Sequence, residues 1–238
     1  MDAQTELSDT KMGLLLAAER LFATQGIAAT TIRQINTEAG QKNSSAIHYH
    51  FGSRDAILDA IIAIRVAPAN AHREQLLAEA RAAANGGPLS TETIIHLLMK
   101  PGIDRFIDTQ GPHYSQRFLI QLRMNIEAWR RYERERQAWT LIELQQELHR
   151  ARPMLPPQVV RSRFRSAVNF SMFEMAEIEG AEDRLGERYS RDEAIFRIEE
   201  LKSVLITMLD APIPARTADA LAKISDAPRN SPPRSLME

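Results

Sequence analysis

The chain has 238 residues, 44% hydrophobic and 26% charged, enough to bury a full core in one large or two modest domains. It holds no apolar run of about 18 residues, and Asp2, Glu6, Asp9 and Glu19 fall in its first segment, which excludes a membrane span and a signal peptide and points to the cytoplasm. With no cysteine and a formal net charge of -1, disulfides, thiolate metal sites and cysteine nucleophiles are ruled out, and any nucleic-acid surface must come from local segregation of charge.

In chain order, Leu14, Leu15, Ala18, Leu21 and Phe22 form one helical stripe that Gly26 closes. A short pattern at Ile32, Ile35 and Ala39 follows Thr30 and Thr31, either of which can cap it, and stops at Gly40. Asn43, Ser44 and Ser45 can cap a third helix, Ala46 to His50, before Gly52 interrupts. A fourth opens at Ser53 with Ile57, Leu58, Ile61 and Ile62 on one face. Beyond Pro68 the pattern predicts a helix over 70–84, another over 91–100 ended by Pro101, and one or two helices over 115–150. Two long amphipathic helices then follow, over 157–179 and 190–209, the second opened by Ser190 and Glu193 at capping-box spacing. From Ala211 onward prolines accumulate and periodicity fades, which reads as a disordered tail.

The functional signal is the run from Thr30 to Leu58: helix, glycine turn, a second helix starting in small polar residues, and a new amphipathic helix. This is helix-turn-helix architecture, in which the second helix enters a major groove and its first residues reach base edges. The window from Thr30 to Arg54 holds Arg33, Lys42 and Arg54 against Glu38, a local charge of +2. Thr31-Ile32-Arg33-Gln34-Ile35, Glu38-Ala39-Gly40 and above all the run from Tyr49 to Leu58 resemble the TetR family of bacterial transcriptional regulators, over roughly residues 10–65. The resemblance implies that Thr30 or Thr31 grips a phosphate, that His48, Tyr49 and His50 touch backbone and bases, and that Arg54 binds phosphate. Asn36 and Gln41 depart from the family pattern, and the stretch from Gly40 to Phe51 is one residue longer than its commonest form. The expected DNA-binding set is Thr30, Thr31, Arg33, Lys42, Asn43, Ser44, Ser45, His48, Tyr49, His50 and Arg54.

The fold expected is all-α: a three-helix helix-turn-helix domain over 1–54, a larger helical domain for effector binding and dimerisation over 55–210, and the tail over 211–238. Aromatic and methionine side chains with a few polar anchors predict an effector pocket at Phe106, Arg117, Phe118, Arg123, Met124, Trp129, Asn169 and Phe173, suited to an apolar ligand with an acidic group. The apolar stripes of the last two helices, at Phe164, Val168, Met172, Met175, Ile198, Leu201 and Leu205, predict a homodimer seam. The excess of arginine over 114–165 and of acids over 174–200 reads as two segments that neutralise one another. No metal or cofactor is expected: His48 and His50, two apart on a helix, point away from each other, and no Glu-x-x-His pair occurs. A small all-helical enzyme would need a phosphate loop, nucleophile elbow or metal spacing that the chain lacks. An architectural DNA-binding protein without an effector would not need so long a second domain. The expected function is a ligand-responsive repressor that binds a palindromic operator as a dimer.

Overall fold

The computed structural model describes residues 3–41, 46–109, 113–134 and 139–225. Its helices are α1 (Ala3–Gln25), α2 (Ile32–Glu38), α3 (Ala46–His50), α4 (Arg54–Ala83), α5 (Thr91–Asp108), α6 (Ser115–Met124), α7 (Ile126–Arg134), α8 (Trp139–Ala151), α9 (Pro157–Glu179), α10 (Ala181–Leu185), α11 (Arg191–Asp210) and α12 (Ala215–Ser225), with a 3₁₀ turn at Gly186–Arg188. The described residues contain no strand, so the all-α expectation holds. None of these helices is long and apolar enough to cross a membrane.

Two apolar cores organise the helices. The first joins Leu14, Ala18 and Phe22 of α1, Ile35 of α2, Ile47 of α3 and Ile57 and Ile61 of α4. Three short helices and half of a long one bury too little by themselves, and the core is completed from the other half of the chain. Phe118 and Leu122 of α6 and Trp129 and Tyr132 of α7 enter it, the Phe22 and Phe118 ring centroids standing 6.3 Å apart. The second core gathers Leu77 of α4 with the inner faces of α5, α8, α9 and α11. Helix α4 therefore contributes its first half to one core and its second half to the other.

Two prolines expected to end helices lie inside them, so α4 replaces the two helices read on either side of Pro68 and α5 runs past Pro101 to Asp108. A proline removes one intrahelical donor, and the helix survives where the freed carbonyl finds another partner. Pro68 is exposed, so that its turn is open to water. Pro101 is buried, and there the side chain of Arg73 substitutes: its Nε donates to Leu97 O at 3.2 Å and its Nη2 to Leu98 O at 3.3 Å. Leu97 O is the acceptor that a residue-101 N–H would have served.

Within the expected stretch 115–150, α6 and α7 are separated at Asn125 and α8 runs on from Trp139, while residues 135–138 lie outside the described residues. The tail is not wholly irregular: α12 occupies Ala215–Ser225, a stretch of good helix formers started by Thr217 N and Ala218 N donating to Pro214 O at 2.9 and 3.0 Å. The remainder of the expected tail, 226–238, lies outside the described residues.

Candidate nucleic-acid interface and internal cavity

The α2–α3 pair is set by local hydrogen bonds. Thr31 is the N-cap of α2: its Oγ1 accepts from Gln34 N at 3.3 Å while Thr31 N donates to Gln34 Oε1 at 2.8 Å, a complete capping box. Gln34 Nε2 also donates to Gln25 Oε1 at 3.1 Å, fixing α2 to the end of α1. Helix α3 closes at Gly52, whose φ of +78° few other residues adopt. There the Nδ1 of His48 lies 3.0 Å from Gly52 O.

This geometry separates the expected contact residues. Thr31 and Arg33 are exposed, while Thr30 is fully buried and its hydroxyl donates to Gly26 O at 2.8 Å. Of the two threonines, only Thr31 can meet a phosphate, and it stands where the free N–H groups of α2 begin. On α3, His48 is exposed and Tyr49 is 75% exposed, its ring edge-on to His50 at 5.0 Å. Lys42, Asn43, Ser44 and Ser45 lie outside the described residues.

Arg54 has a structural task that sequence reasoning missed. Its Nη1 reaches Ile27 O at 3.1 Å, Ala28 O at 3.5 Å and Thr30 O at 3.1 Å, so the first residue of α4 holds the α1–α2 turn in place. The charge near the DNA face is thus tied to backbone carbonyls.

An internal cavity of about 130 Å³ lies where the two cores meet. Val66, Trp129 and Tyr132 of the first core and Leu98, Met99 and Met175 of the second line it. Among the expected pocket residues only Trp129 is part of this wall. Phe118 is inside the first core and Phe106 inside the second. Met124 is 76% and Phe173 52% exposed. Arg117 pairs with Asp183 at 2.7 Å and approaches Glu179 at 3.6 Å, and Arg123 donates to the exposed Asn169 at 3.2 Å while lying over the Trp129 ring.

Six residues of the expected dimer seam, Phe164, Val168, Met175, Ile198, Leu201 and Leu205, are buried within the single chain, and Met172 lines the cavity. That stripe faces inward, because α9 and α11 pack first on α5, α8 and each other. Periodicity marks a buried face without saying what buries it. The outward apolar residues of the same two helices are Phe170, Phe173, Ile195, Phe196 and Val204.

Among the described residues, three guanidinium groups line the cavity and no acid does. Arg65 makes a bidentate ion pair with the buried Glu19 of α1, at 2.6 and 2.5 Å. Arg73 donates to Asn70 Oδ1 at 3.1 Å and Thr140 Oγ1 at 2.9 Å besides the two carbonyls of α5, all of them neutral. Burial pushes its pKa down to about 10. The Arg105 guanidinium has no hydrogen bond or ion pair among the described residues, and burial followed by the nearby Arg65 lowers its pKa. Nothing in the sequence marks these three, since each is defined by partners more than 20 positions away.

At the outer end of α6, Glu179 accepts from Gln116 N at 2.8 Å, Arg117 N at 3.0 Å and Ser115 Oγ at 3.2 Å, so the end of α9 caps the start of α6. Its carboxyl is held above the usual range, chiefly by burial. The two oppositely charged segments meet here through Arg117, but Glu174 and Glu177 pair with Arg197 and Arg184 of their own segment.

Comparison with known proteins agrees with this geometry. Residues 14–61 match the model of bacterial regulatory proteins, tetR family. In fold the chain is similar to the crystal structure of Mycobacterium smegmatis AmtR, with 20% identity and a TM-score of 0.52 over 88% of this chain and 92% of that one. A solved structure described as the molecular basis for control of antibiotic production by bacterial hormones is further away, with 16% identity and a TM-score of 0.45 over 87% of this chain and 98% of that one. None of the curated proteins matches the chain in sequence. Residues 14–61, which span α2 and α3 with the exposed Thr31, Arg33, His48 and Tyr49, match the tetR-family head, so the chain carries a DNA-binding helix-turn-helix domain of that type.

Proposed function

We propose that the protein binds a two-fold-symmetric operator as a homodimer in the cytoplasm and leaves it when a small molecule occupies the internal cavity, which makes it a repressor. One short helix reads too few base pairs for specificity, so a second copy supplies the other half-site about 34 to 36 Å away or a multiple of it. Thr31 and Arg33 serve as phosphate contacts, and His48, Tyr49 and the residues just before α3 serve as base contacts. The outward apolar residues Phe170, Phe173, Phe196 and Val204 of α9 and α11 provide the face for the second copy.

The observation that carries the ligand-responsive part is the position of the cavity. Its wall takes Val66 from α4 and Trp129 and Tyr132 from α7, all of which also belong to the core of the reading head. A molecule seated there touches the elements on which the head rests, and it shifts the head if it binds the released arrangement more tightly. By linkage it then binds the DNA-free dimer more tightly by the factor with which it weakens DNA binding.

Selection of bound duplexes from random DNA tests the reading. A dyad-symmetric site is expected, with affinity that falls steeply with salt. Phe196→Glu should give a folded monomer in sedimentation with specific binding reduced by about a hundredfold or more. Selected DNA without a dyad, or a folded Phe196→Glu dimer, would refute the operator and the interface respectively.

A further inference from the structure

Resting on the reading of the cavity as an effector site, we propose that it takes a small carboxylate: an apolar body of about one ring, with its anionic group on Arg105. Among the described residues the wall holds three arginines and no aspartate or glutamate. Two of them already have work. Arg65 is closed onto Glu19 in a bidentate pair, and Arg73 supplies donors to the carbonyls of α5 at the Pro101 turn. Of the three, only the Arg105 guanidinium has no hydrogen bond or ion pair among the described residues; it is half-buried and feels the like charge of Arg65 more than the opposite charges of Glu19 and Glu179.

A partly desolvated guanidinium without an acceptor is unfavourable, and an entering carboxylate supplies two acceptors in the geometry of its fork. Arg105 also lines the groove between the reading head and α5, together with Glu19, Arg20 and Glu38. In that groove Glu19 and Glu38 are paired with Arg65 and Arg20, whereas the cavity has no carboxylate among its described lining residues and offers Leu98, Met99, Leu119 and Met175 to an apolar body. Size restricts the ligand further: the volume of about 130 Å³ is close to the roughly 150 Å³ that holds benzene in an apolar protein cavity.

The test is calorimetric titration of the full chain, free of DNA, with sodium benzoate and with its neutral near-isostere benzamide. Trp129 fluorescence serves as a second readout, with Trp139→Phe removing the other indole. Benzoate should bind about tenfold or more tightly than benzamide. Arg105→Gln should abolish that preference while leaving the weak benzamide affinity, Arg105→Lys should keep part of it, and Met172→Trp, which fills the cavity and is read by calorimetry alone, should remove both. Equal affinity of the two probes for the wild-type chain, absence of benzoate binding, or a preference that survives Arg105→Gln each overturns the anion site. The wild-type comparison decides even if Arg105→Gln fails to fold. A DNA-release assay keeps the two readings apart. Benzamide that binds as well as benzoate and releases DNA sinks the anion site alone, whereas benzoate that binds through Arg105 without releasing DNA sinks the effector reading alone.

Discussion

The reading head and the larger helical half use positive charge in opposite ways. On the head, Arg33 stands in water beside the N-terminus of α2, where a polyanion can reach it. In the larger half Arg73 is half-buried against neutral acceptors, and the half-buried Arg105 guanidinium has none among the described residues. An exposed cation is already well solvated, gains affinity only when many act together, and is sensitive to salt. A desolvated one binds a single small anion with geometric selectivity and little screening. Net charge conceals both arrangements, since the chain as a whole carries -1. Arg65 and Arg54 lie between the two regimes: one ties α4 to α1 through Glu19, the other ties α4 to the α1–α2 turn.

The largest effect should come from breaking the strut between the regions. Glu19→Gln leaves Arg65 without its counter-ion in a site where Glu19 is buried, and should lower stability by about 3 kcal/mol or more, read as a shift of the urea midpoint at constant slope. A loss below about 1 kcal/mol would mean that the pair behaves as a surface bridge.

Next is the internal arginine. Arg73→Met strips donors from Leu97 O, Leu98 O, Asn70 and Thr140, and should lower stability by about 2 to 3 kcal/mol. Pro101→Ala restores an N–H for Leu97 O, so the loss should shrink by about 1 kcal/mol in the double variant. Strict additivity would show that the arginine and the proline do not compensate each other.

Arg54→Ala should lower head stability by about 1 to 3 kcal/mol through the carbonyls it leaves unpaired. The slope of log affinity against log salt then stays as in the parent, whereas loss of a phosphate contact would reduce it by about 0.9. Smallest, Thr31→Ala should cost about 1 kcal/mol by loss of the α2 cap, and Thr31→Ser should restore most of it. A folded Thr31→Ala protein with unchanged stability would remove the capping box from the account.

Much of the helical frame was legible because its signals are local. Thr31, Gly40, Gly52 and Ser190 start or stop helices through their own backbone and nearest neighbours, and α3 and α9 run as the pattern predicts. The same locality made the α2–α3 pair readable, and Gln34 three residues after Thr31 was an available capping-box signal. Pro68 and Pro101 misled because a proline's effect depends on who takes the freed carbonyl, and for Pro101 that partner is Arg73, 28 positions away in sequence.

The sequence by itself determined an all-helical chain, the place of its helix-turn-helix and a surplus of apolar helix faces, since each follows from short-range periodicity and capping. Tertiary structure alone decided which faces meet. It turned the stripe with Phe164 and Leu205 inward and left Phe170 and Phe196 outward. It buried Thr30 while exposing Thr31, committed Arg54 to a turn, and left the Arg105 guanidinium without a partner among the described residues in a cavity between two cores. The physical reason is that burial and pairing are properties of residues distant in sequence. A stripe of given period fits an intramolecular partner and a second copy equally well until packing assigns one of them.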